Sequence, residues 1–301
     1  MKVYKDIRKY KPKLISSIKK FGFLPDHNYY HYLYRQTINK RCICFDFGQK
    51  KCLIAFFNKN NHVWDVINGI LAPYEERLDI FLKFVDYAFA NGKAKRVSVE
   101  SDEDFKSAVF KELKNSRYKA NMNYALHWPV YDLRIWDEKL SGKHWKKFRN
   151  IRNRFYNHSL INVKDPRKIN KNTLRNILYS WIKRRNHRDK AEYVYYLNII
   201  NNNFRGFDMV RALLINGEPC SFSAGWKMPN SDCFYCGVGI FSYNHKDLGD
   251  FVNLDDLMHL KKIGYSHIDL GGSDKAMLHF KKKFKPEKIY KTYIFSVSRK
   301  K

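Results

Sequence analysis

The order of predicted strands and helices occurs twice along this chain of 301 residues, and this repeat restricts the possible folds more than any other feature of the sequence. In the first half, alternating apolar residues predict strands, and apolar residues at helical spacing predict helices. Their order is strand, strand, strand, helix, strand, helix, strand. The predicted segments are residues 41–57, which hold two strands, and then 62–67, 74–90, 96–100, 104–113 and 118–127.

The second half repeats this order without a repeat of individual residues. Asn216-Gly217 predicts a hairpin turn between its first two strands. The predicted segments are residues 209–215, 220–227, 233–241, 251–263, 267–270, a helix from about residue 273, and 288–297. We therefore expect an α/β (α+β) chain of two similarly folded domains. The N-terminal half would cover residues 1–138, and the C-terminal half residues 139–301, beginning with basic helices.

The stretch from His267 to Pro286, HIDLGGSDKAMLHFKKKFKP, places a short strand, a glycine turn and a helix in direct succession. Ser273 or Asp274 can cap the helix, which ends in a cluster of lysines. A strand that ends in a glycine turn at a helix N-terminus can present backbone N–H groups to an anion. The same spacing also fits an ordinary strand–helix connection, so the motif alone leaves both interpretations open.

The chain carries a large positive charge. Its 58 Lys and Arg residues against 29 Asp and Glu give a formal net charge of +29, which favours a polyanionic partner such as RNA, DNA or an anionic membrane surface. Residues 139–154, KLSGKHWKKFRNIRNR, contain seven Lys or Arg and no acid, with apolar residues at helical spacing. We predict that His144, Arg149 and Arg152 contact a phosphate backbone. A solvated helix face, or a compositional bias towards lysine, is the alternative.

The six cysteines do not predict a metal site. Cys233 and Cys236 have CxxC spacing, but no second pair and no histidine pair lies at zinc-finger spacing, and the segment itself is predicted to be a strand. Small buried thiols are the expected form. The chain has no apolar run of membrane-spanning length, and its first 20 residues lack the apolar core of a signal peptide. A reducing, cytoplasmic setting without a bound metal fits these features.

Three motifs give the chain a resemblance to a known superfamily. They are the basic helix ending KKFRNIRNRF, the pair LLINGEPCSFSAGW and CFYCGVGIFS at the predicted hairpin and central strand, and DLGGSDKAMLHFKKKF. Together with the repeated strand order, they resemble the GNAT fold in its tandem form, and more narrowly the Fem-type aminoacyltransferases and the C-terminal domain of phosphatidylglycerol lysyltransferases. The resemblance implies tandem GNAT-like domains, each a mixed, mainly antiparallel sheet flanked by helices.

The resemblance implies an acyltransferase without a permanently bound cofactor. An aminoacyl or acetyl group would move from aminoacyl-tRNA or acyl-CoA, as co-substrate, to an amine or hydroxyl by direct attack. Lys281 occupies the Phe-Lys position of the Fem-type motif, where a lysine lies near a phosphate, and Asp269 would orient the attacking amine or accept its proton. The expected donor-binding residues are Gly271, Gly272, Ser273, Trp226 and Tyr235. The alternatives are a solvated lysine cluster for Lys281, a turn cap for Asp269, and core packing for the two aromatics.

Two stretches of the sequence depart from the resemblance. Acetyl-CoA enzymes of this fold carry a glycine-rich loop after the central strand, whereas the corresponding stretch here, SYNHKDLGDFVN, contains only Gly249, which argues against coenzyme A. In the first half, KRVSVESDEDFKSAVFKEL has neither glycine of the LGGSD motif. We expect that half to be structural or acceptor-binding, without its own active site. The alternative function is a non-catalytic, basic nucleic-acid-binding module on the same fold.

Overall fold

The computed structural model describes residues 1–90, 94–185 and 192–300, and its strands form one continuous, mostly antiparallel sheet. In chain order the strands are β1 (Lys2–Tyr4), β2 (Lys40–Gly48), β3 (Lys51–Asn58), β4 (Val63–Ile67), β5 (Ile70–Leu71), β6 (Arg96–Ser101), β7 (Tyr118–Asp132), β8 (Ile161–Lys164), β9 (Met209–Ile215), β10 (Glu218–Lys227), β11 (Cys233–Phe241), β12 (His267–Asp269) and β13 (Lys288–Arg299). Across the sheet they lie in the order β1-β2-β3-β4-β6-β13-β7-β12-β11-β10-β9-β8, with β5 paired to β3. The pairs β4–β6 and β11–β12 are parallel.

Helices cover both faces of this sheet. The α-helices are α1 (Lys11–Phe21), α2 (Tyr29–Tyr34), α3 (Arg77–Ala90), α4 (Glu103–Leu113), α5 (Lys146–His158), α6 (Lys171–Arg184), α7 (Tyr193–Asn201), α8 (Leu248–Lys262) and α9 (Lys275–Lys282). In the first half, α3 and α4 pack over one apolar cluster and α1 and α2 over another. In the second half, α5 and α8 cover one cluster, and α6 and α7 cover the other. The predicted α/β class and tandem arrangement are confirmed.

The two halves exchange their last strands. Strand β13, at the end of the chain, lies between β6 and β7, and strand β7, at the end of the first half, lies between β13 and β12. Phe295 and Val297 of β13 are fully buried in the core of the first half, whereas Tyr131 of β7 is buried in the core of the second. The predicted division at residue 138 follows β7, and the sheet continues across it.

The N-terminal segment, for which the sequence predicted no strand or helix, holds β1, α1 and α2 and links the two halves. The Asn230 side chain donates hydrogen bonds to the carbonyls of Lys19, at 3.1 Å, and Gly22, at 2.8 Å. The Trp226 indole donates to the Pro25 carbonyl at 3.0 Å. Gly206 has a φ of +88°, and a Cβ there would lie 2.0 Å from the Tyr30 ring. Because α2 packs this tightly on the second half, it forms one wall of the region between the halves.

Candidate functional site

The candidate site lies where the parallel strands β11 and β12 separate. They pair over three residues, from Cys233 opposite His267 to Tyr235 opposite Asp269, and β12 then ends while β11 continues. At the end of β12 the chain turns through Gly271, whose φ of +86° favours glycine. Helix α9 follows, and the Asp274 side chain caps it by accepting the Met277 N–H at 2.8 Å. The turn and α9 therefore border the opening between the two strands.

Lys281 reaches back from α9 to the glycine turn. Its ammonium donates to the Leu270 carbonyl at 2.6 Å and the Gly271 carbonyl at 2.9 Å. An ammonium has three N–H donors, and among the described residues only these two acceptors bond to it, so one donor is available to a ligand oxygen. Burial lowers the pKa of Lys281 to about 8, with Asp269 opposing that shift. The neighbouring Lys282 is exposed, so Lys281 differs from a solvated lysine of the same cluster.

Asp269 is only 1% exposed, and both of its carboxylate oxygens accept hydrogen bonds. One oxygen accepts the Gly271 N–H at 2.7 Å, and the other accepts the Tyr290 hydroxyl at 2.7 Å. Burial raises the pKa of Asp269 to about 6, against the lowering effect of these bonds and of Lys281. The side chain thus holds the glycine turn, as one sequence interpretation proposed, and also a tyrosine that the sequence did not indicate.

Aromatic rings line the region next to Asp269. Tyr290 stacks on Trp128 at 5.7 Å between ring centroids, and Tyr235 lies 6.4 Å from Trp128. Gly272 faces the same ring, because a Cβ there would lie 2.9 Å from the Trp128 indole. Ser273 is buried: its hydroxyl donates to the Gly271 carbonyl at 3.2 Å, and its own carbonyl accepts the His127 N–H at 3.0 Å. Of the predicted donor-binding residues, Gly271, Gly272 and Tyr235 border the site directly.

Trp226 supports the site from behind. Its side chain is 2% exposed and lies in the apolar cluster beneath α6 and α7, 4.9 Å from the Tyr235 ring. It contacts His31 of α2 at 5.7 Å between ring centroids. Trp226 therefore positions Tyr235 from the core rather than facing the opening between β11 and β12.

A second carboxylate, which sequence reasoning missed, comes from the first half. Glu100 is the last residue but one of β6, as Asp269 is the last of β12, and Glu100 accepts the Thr292 hydroxyl at 2.7 Å. The Thr292 oxygen in turn accepts the Trp128 indole N–H at 2.8 Å. Burial raises the pKa of Glu100 to about 7. Strand β13 thus connects Glu100 and Asp269, through Thr292 and Tyr290. The place of Glu100 near the end of the corresponding strand of the repeat was the signal available in the sequence.

Helix α2 and the segment before it add polar residues that the sequence also did not indicate. Asp26 and His31 are buried, with 3.0 Å between carboxylate and imidazole, and Asn68 donates to Asp26 at 2.9 Å. Burial acts to raise the pKa of Asp26, but these hydrogen bonds outweigh it and hold the pKa low. His31 also lies 3.0 Å from the Tyr195 hydroxyl of α7. The region between the halves is therefore polar on the α2 side.

The predicted polyanion-binding residues occupy different environments. His144 is exposed on the surface. Arg149 donates to the carbonyls of Leu140 and Gly142, and Arg152 donates to that of Glu138 at 3.3 Å. Both arginines therefore hold the loop that precedes α5.

One group among the described residues has the spacing of metal ligands. The ligand atoms of Asp132, His267 and Glu287 lie within 4.8 Å of one another. Arg134, however, donates to both oxygens of Asp132, at 2.9 and 2.6 Å, and lies 3.3 Å from His267. Since this guanidinium already neutralises the carboxylate, we assign no metal here.

The six cysteines are free thiols. None of the helices in the described ranges is long and apolar enough to cross a membrane.

Solved structures share this fold over nearly its whole length. L-PGS from Bacillus licheniformis is 18% identical, with 96% of this chain and 91% of that one aligned at a TM-score of 0.65. FemX is 11% identical, with 98% and 97% aligned at 0.56. A tandem GNAT protein from the clavulanic acid biosynthesis pathway is 9% identical, with 99% and 98% aligned at 0.58. No protein-family profile and no curated protein matches the sequence. At these identities the likeness shows the fold alone, and the predicted GNAT-like resemblance is confirmed at that level.

Proposed function

Because the chain has the tandem GNAT-like fold of acyltransferases, we propose that it transfers an aminoacyl group from aminoacyl-tRNA to an amine or hydroxyl acceptor by direct attack. The observation that carries this proposal is the position of the Lys281 ammonium. Its ammonium is fixed over the glycine turn by two carbonyls and keeps one N–H donor free beside the opening between β11 and β12. A fixed cation in a partly dry site is suited to stabilising an oxyanion.

In the proposed reaction, one bond to the carbonyl carbon of the donor forms and another breaks. The acceptor attacks the ester carbonyl of the donor, a bond from carbon to the acceptor atom forms, and the bond to the ribose oxygen breaks. Lys281 donates to the developing oxyanion and gives a proton to the departing ribose oxygen, while the acceptor loses a proton through Tyr290 to Asp269. A pKa of about 8 for Lys281 and about 6 for Asp269 suits these roles near neutral pH.

The N-terminus of α8 disfavours acyl-CoA as the donor. This helix follows the central strand β11, where acetyl-CoA enzymes of this fold grip the pyrophosphate. Here Asp250 occupies its first turn, is 5% exposed, and pairs with Lys283 at 3.3 Å and Lys147 at 3.7 Å. This carboxylate already satisfies the positive end of the helix dipole, which a pyrophosphate would otherwise use. Asp250 therefore lies at the helix end that would otherwise bind the pyrophosphate of coenzyme A.

We expect a thermal-shift panel to separate the donors. Bulk aminoacyl-tRNA should raise the Tm of the full chain more than uncharged tRNA does, because the acyl end adds contacts at the opening between the strands. Acetyl-CoA and longer acyl-CoAs should leave the Tm unchanged. A ligand at about a hundred times its Kd contributes about 2.7 kcal/mol to the free energy of unfolding, which the measurement resolves readily. Stabilisation by an acyl-CoA alone would contradict the proposed donor.

The pH dependence of transfer should show two limbs. Asp269 must be ionised to take the acceptor's proton, so the single-turnover rate should rise with pH up to about 6. Lys281 must be protonated, so the rate should fall above about 8. Asp269→Asn should remove the acidic limb and keep the alkaline one. A flat profile over this interval in the parent protein would contradict the assignment of both groups.

The alternative function is a basic nucleic-acid-binding module without catalysis. The high net charge favours it as much as it favours an RNA-dependent enzyme. Equal stabilisation by charged and uncharged tRNA, together with no transfer to a broad panel of amines and hydroxyl compounds, would identify the module. Aminoacyl transfer that requires Lys281 would identify the enzyme.

A further inference from the structure

A basic surface groove lies between the N-terminal turns of α5 and the loop that precedes α8. Its volume is about 630 Å³. The lining residues are Lys143, His144, Lys146, Lys147, Asn150, Ile151, Arg154 and Asp247. The groove faces away from α2, on the side of the sheet that α5 and α8 cover. Five of the eight lining residues are basic, counting the exposed histidine, and one is acidic.

The cations of this groove divide into two groups. Arg154 bonds to Asp247 at 2.9 Å, and Lys147 pairs with Asp250 at 3.7 Å, so both have carboxylate partners. Lys143 and Lys146 are exposed, and within the described ranges neither forms an ion pair or a side-chain hydrogen bond. These two ammonium groups are therefore free to bind phosphate oxygens, unlike Arg149 of the same basic stretch, which is used by its own loop.

The groove is connected to the candidate site by a chain of charges. Lys147 at its edge pairs with Asp250, and Asp250 pairs with Lys283 of the turn that ends α9. Lys283 is two residues from Lys281, whose ammonium lies at the glycine turn. The edge of the groove is therefore joined through Asp250 to the C-terminal end of α9, the helix that carries Lys281.

From this geometry we infer that the groove binds the phosphate backbone of RNA next to the aminoacylated end of the donor, through Lys143 and Lys146. This inference rests on the proposed aminoacyl transfer, and it specifies where the RNA of the donor binds. Two exposed, unpaired ammonium groups in one groove are suited to binding the phosphates of a sugar–phosphate chain. Sequence reasoning assigned this contact to His144, which lines the groove, and to Arg149 and Arg152, which instead bond to the loop before α5.

The test reverses the charge of the two free lysines, Lys143 and Lys146, in the full chain. Lys143→Glu with Lys146→Glu should lower the affinity for uncharged bulk tRNA about tenfold at about 100 mM salt, measured by fluorescence anisotropy. The slope of log affinity against log salt should fall by about 2, one for each lost phosphate contact. Acids are favoured at the first turn of a helix, where Lys146 lies, and Lys143 is exposed in the segment before it. The variant should therefore keep its Tm, and a loss of binding will not reflect unfolding.

The matched control is Lys50→Glu with Lys59→Glu, which makes the same change in net charge at exposed positions of the first half. It should leave the salt slope within about 0.5 of the parent value. An unchanged slope in the groove variant, or an equal fall in the control, would overturn the inference. A loss of binding to anionic lipid vesicles with tRNA binding intact would also overturn it, in favour of a membrane surface.

Failure of the inference is distinguishable from failure of the proposed function. If the parent protein transfers no aminoacyl group but the groove variant still loses tRNA binding, the groove assignment stands and the catalytic proposal falls. If transfer proceeds at a saturating concentration of aminoacyl-tRNA and the groove variant binds tRNA normally, the enzyme stands and the groove assignment falls.

Discussion

Replacing Lys281 with methionine is expected to lower the single-turnover rate of aminoacyl transfer by about 10²–10³, the usual loss when one fixed oxyanion donor is removed. The affinity for tRNA should stay within about twofold, because the free cations of the basic groove remain. Quench-flow measurement of product formation at saturating donor reports the first quantity, and anisotropy reports the second. Retention of at least half the parent rate would exclude Lys281 from the reaction.

Two further variants separate chemistry from folding. Lys282→Met removes an exposed neighbouring lysine and should leave the rate unchanged. Lys281→Met leaves the Leu270 and Gly271 carbonyls without their ammonium donor, which costs about 1–3 kcal/mol, so its Tm should fall. Lys281→Arg keeps a cation whose pKa lies far above 8. If Lys281 acts only on structure, the alkaline limb of the pH profile will survive in Lys281→Arg; if it transfers the proton, that limb will disappear.

The part of the fold that depends on short-range patterns could be predicted from the sequence. Strands β9 and β11 begin and end where apolar alternation places them. Helix α1 was missed because its buried side chains are few, chiefly Leu14 and Ile18 among lysines, and its place is fixed by contacts with the distant Asn230. Tertiary contacts of this kind leave little trace in local spacing.

The same distinction applies to the candidate site. Lys281 and Asp269 lie in one continuous motif, so the sequence alone predicted that they belong to one site. Tyr290 and Trp128 meet only because β13 pairs with β7 in a register that opposes these two residues. That register depends on the strand exchange between the halves, and the predicted strand order alone did not specify which strands become neighbours. The first half consequently contributes Glu100 to a network that sequence reasoning assigned to the second half alone.

The strand exchange predicts that a fragment of residues 1–138 will not fold. Without β13, its core loses Phe295 and Val297, which are fully buried in the first half. At about 1.5–3 kcal/mol for each buried side chain, the loss is about 3–6 kcal/mol, a large part of the stability of an ordinary domain. Strands β6 and β7 also lose the partner that lies between them. Far-ultraviolet circular dichroism should show no cooperative thermal transition in this fragment.

A linked fragment provides the control. Lys288 pairs with Val130, so the start of β13 lies beside the end of β7, and a short Gly/Ser linker after residue 138 can join residues 287–300 as a hairpin. Restoring β13 in this way should restore a cooperative transition, because both strand pairings and the two buried side chains return. A linked fragment with Phe295→Asp should remain unfolded, since a carboxylate would replace a fully buried ring. Cooperative unfolding of the unlinked fragment at a Tm near that of the full chain would show that the exchanged strand is dispensable.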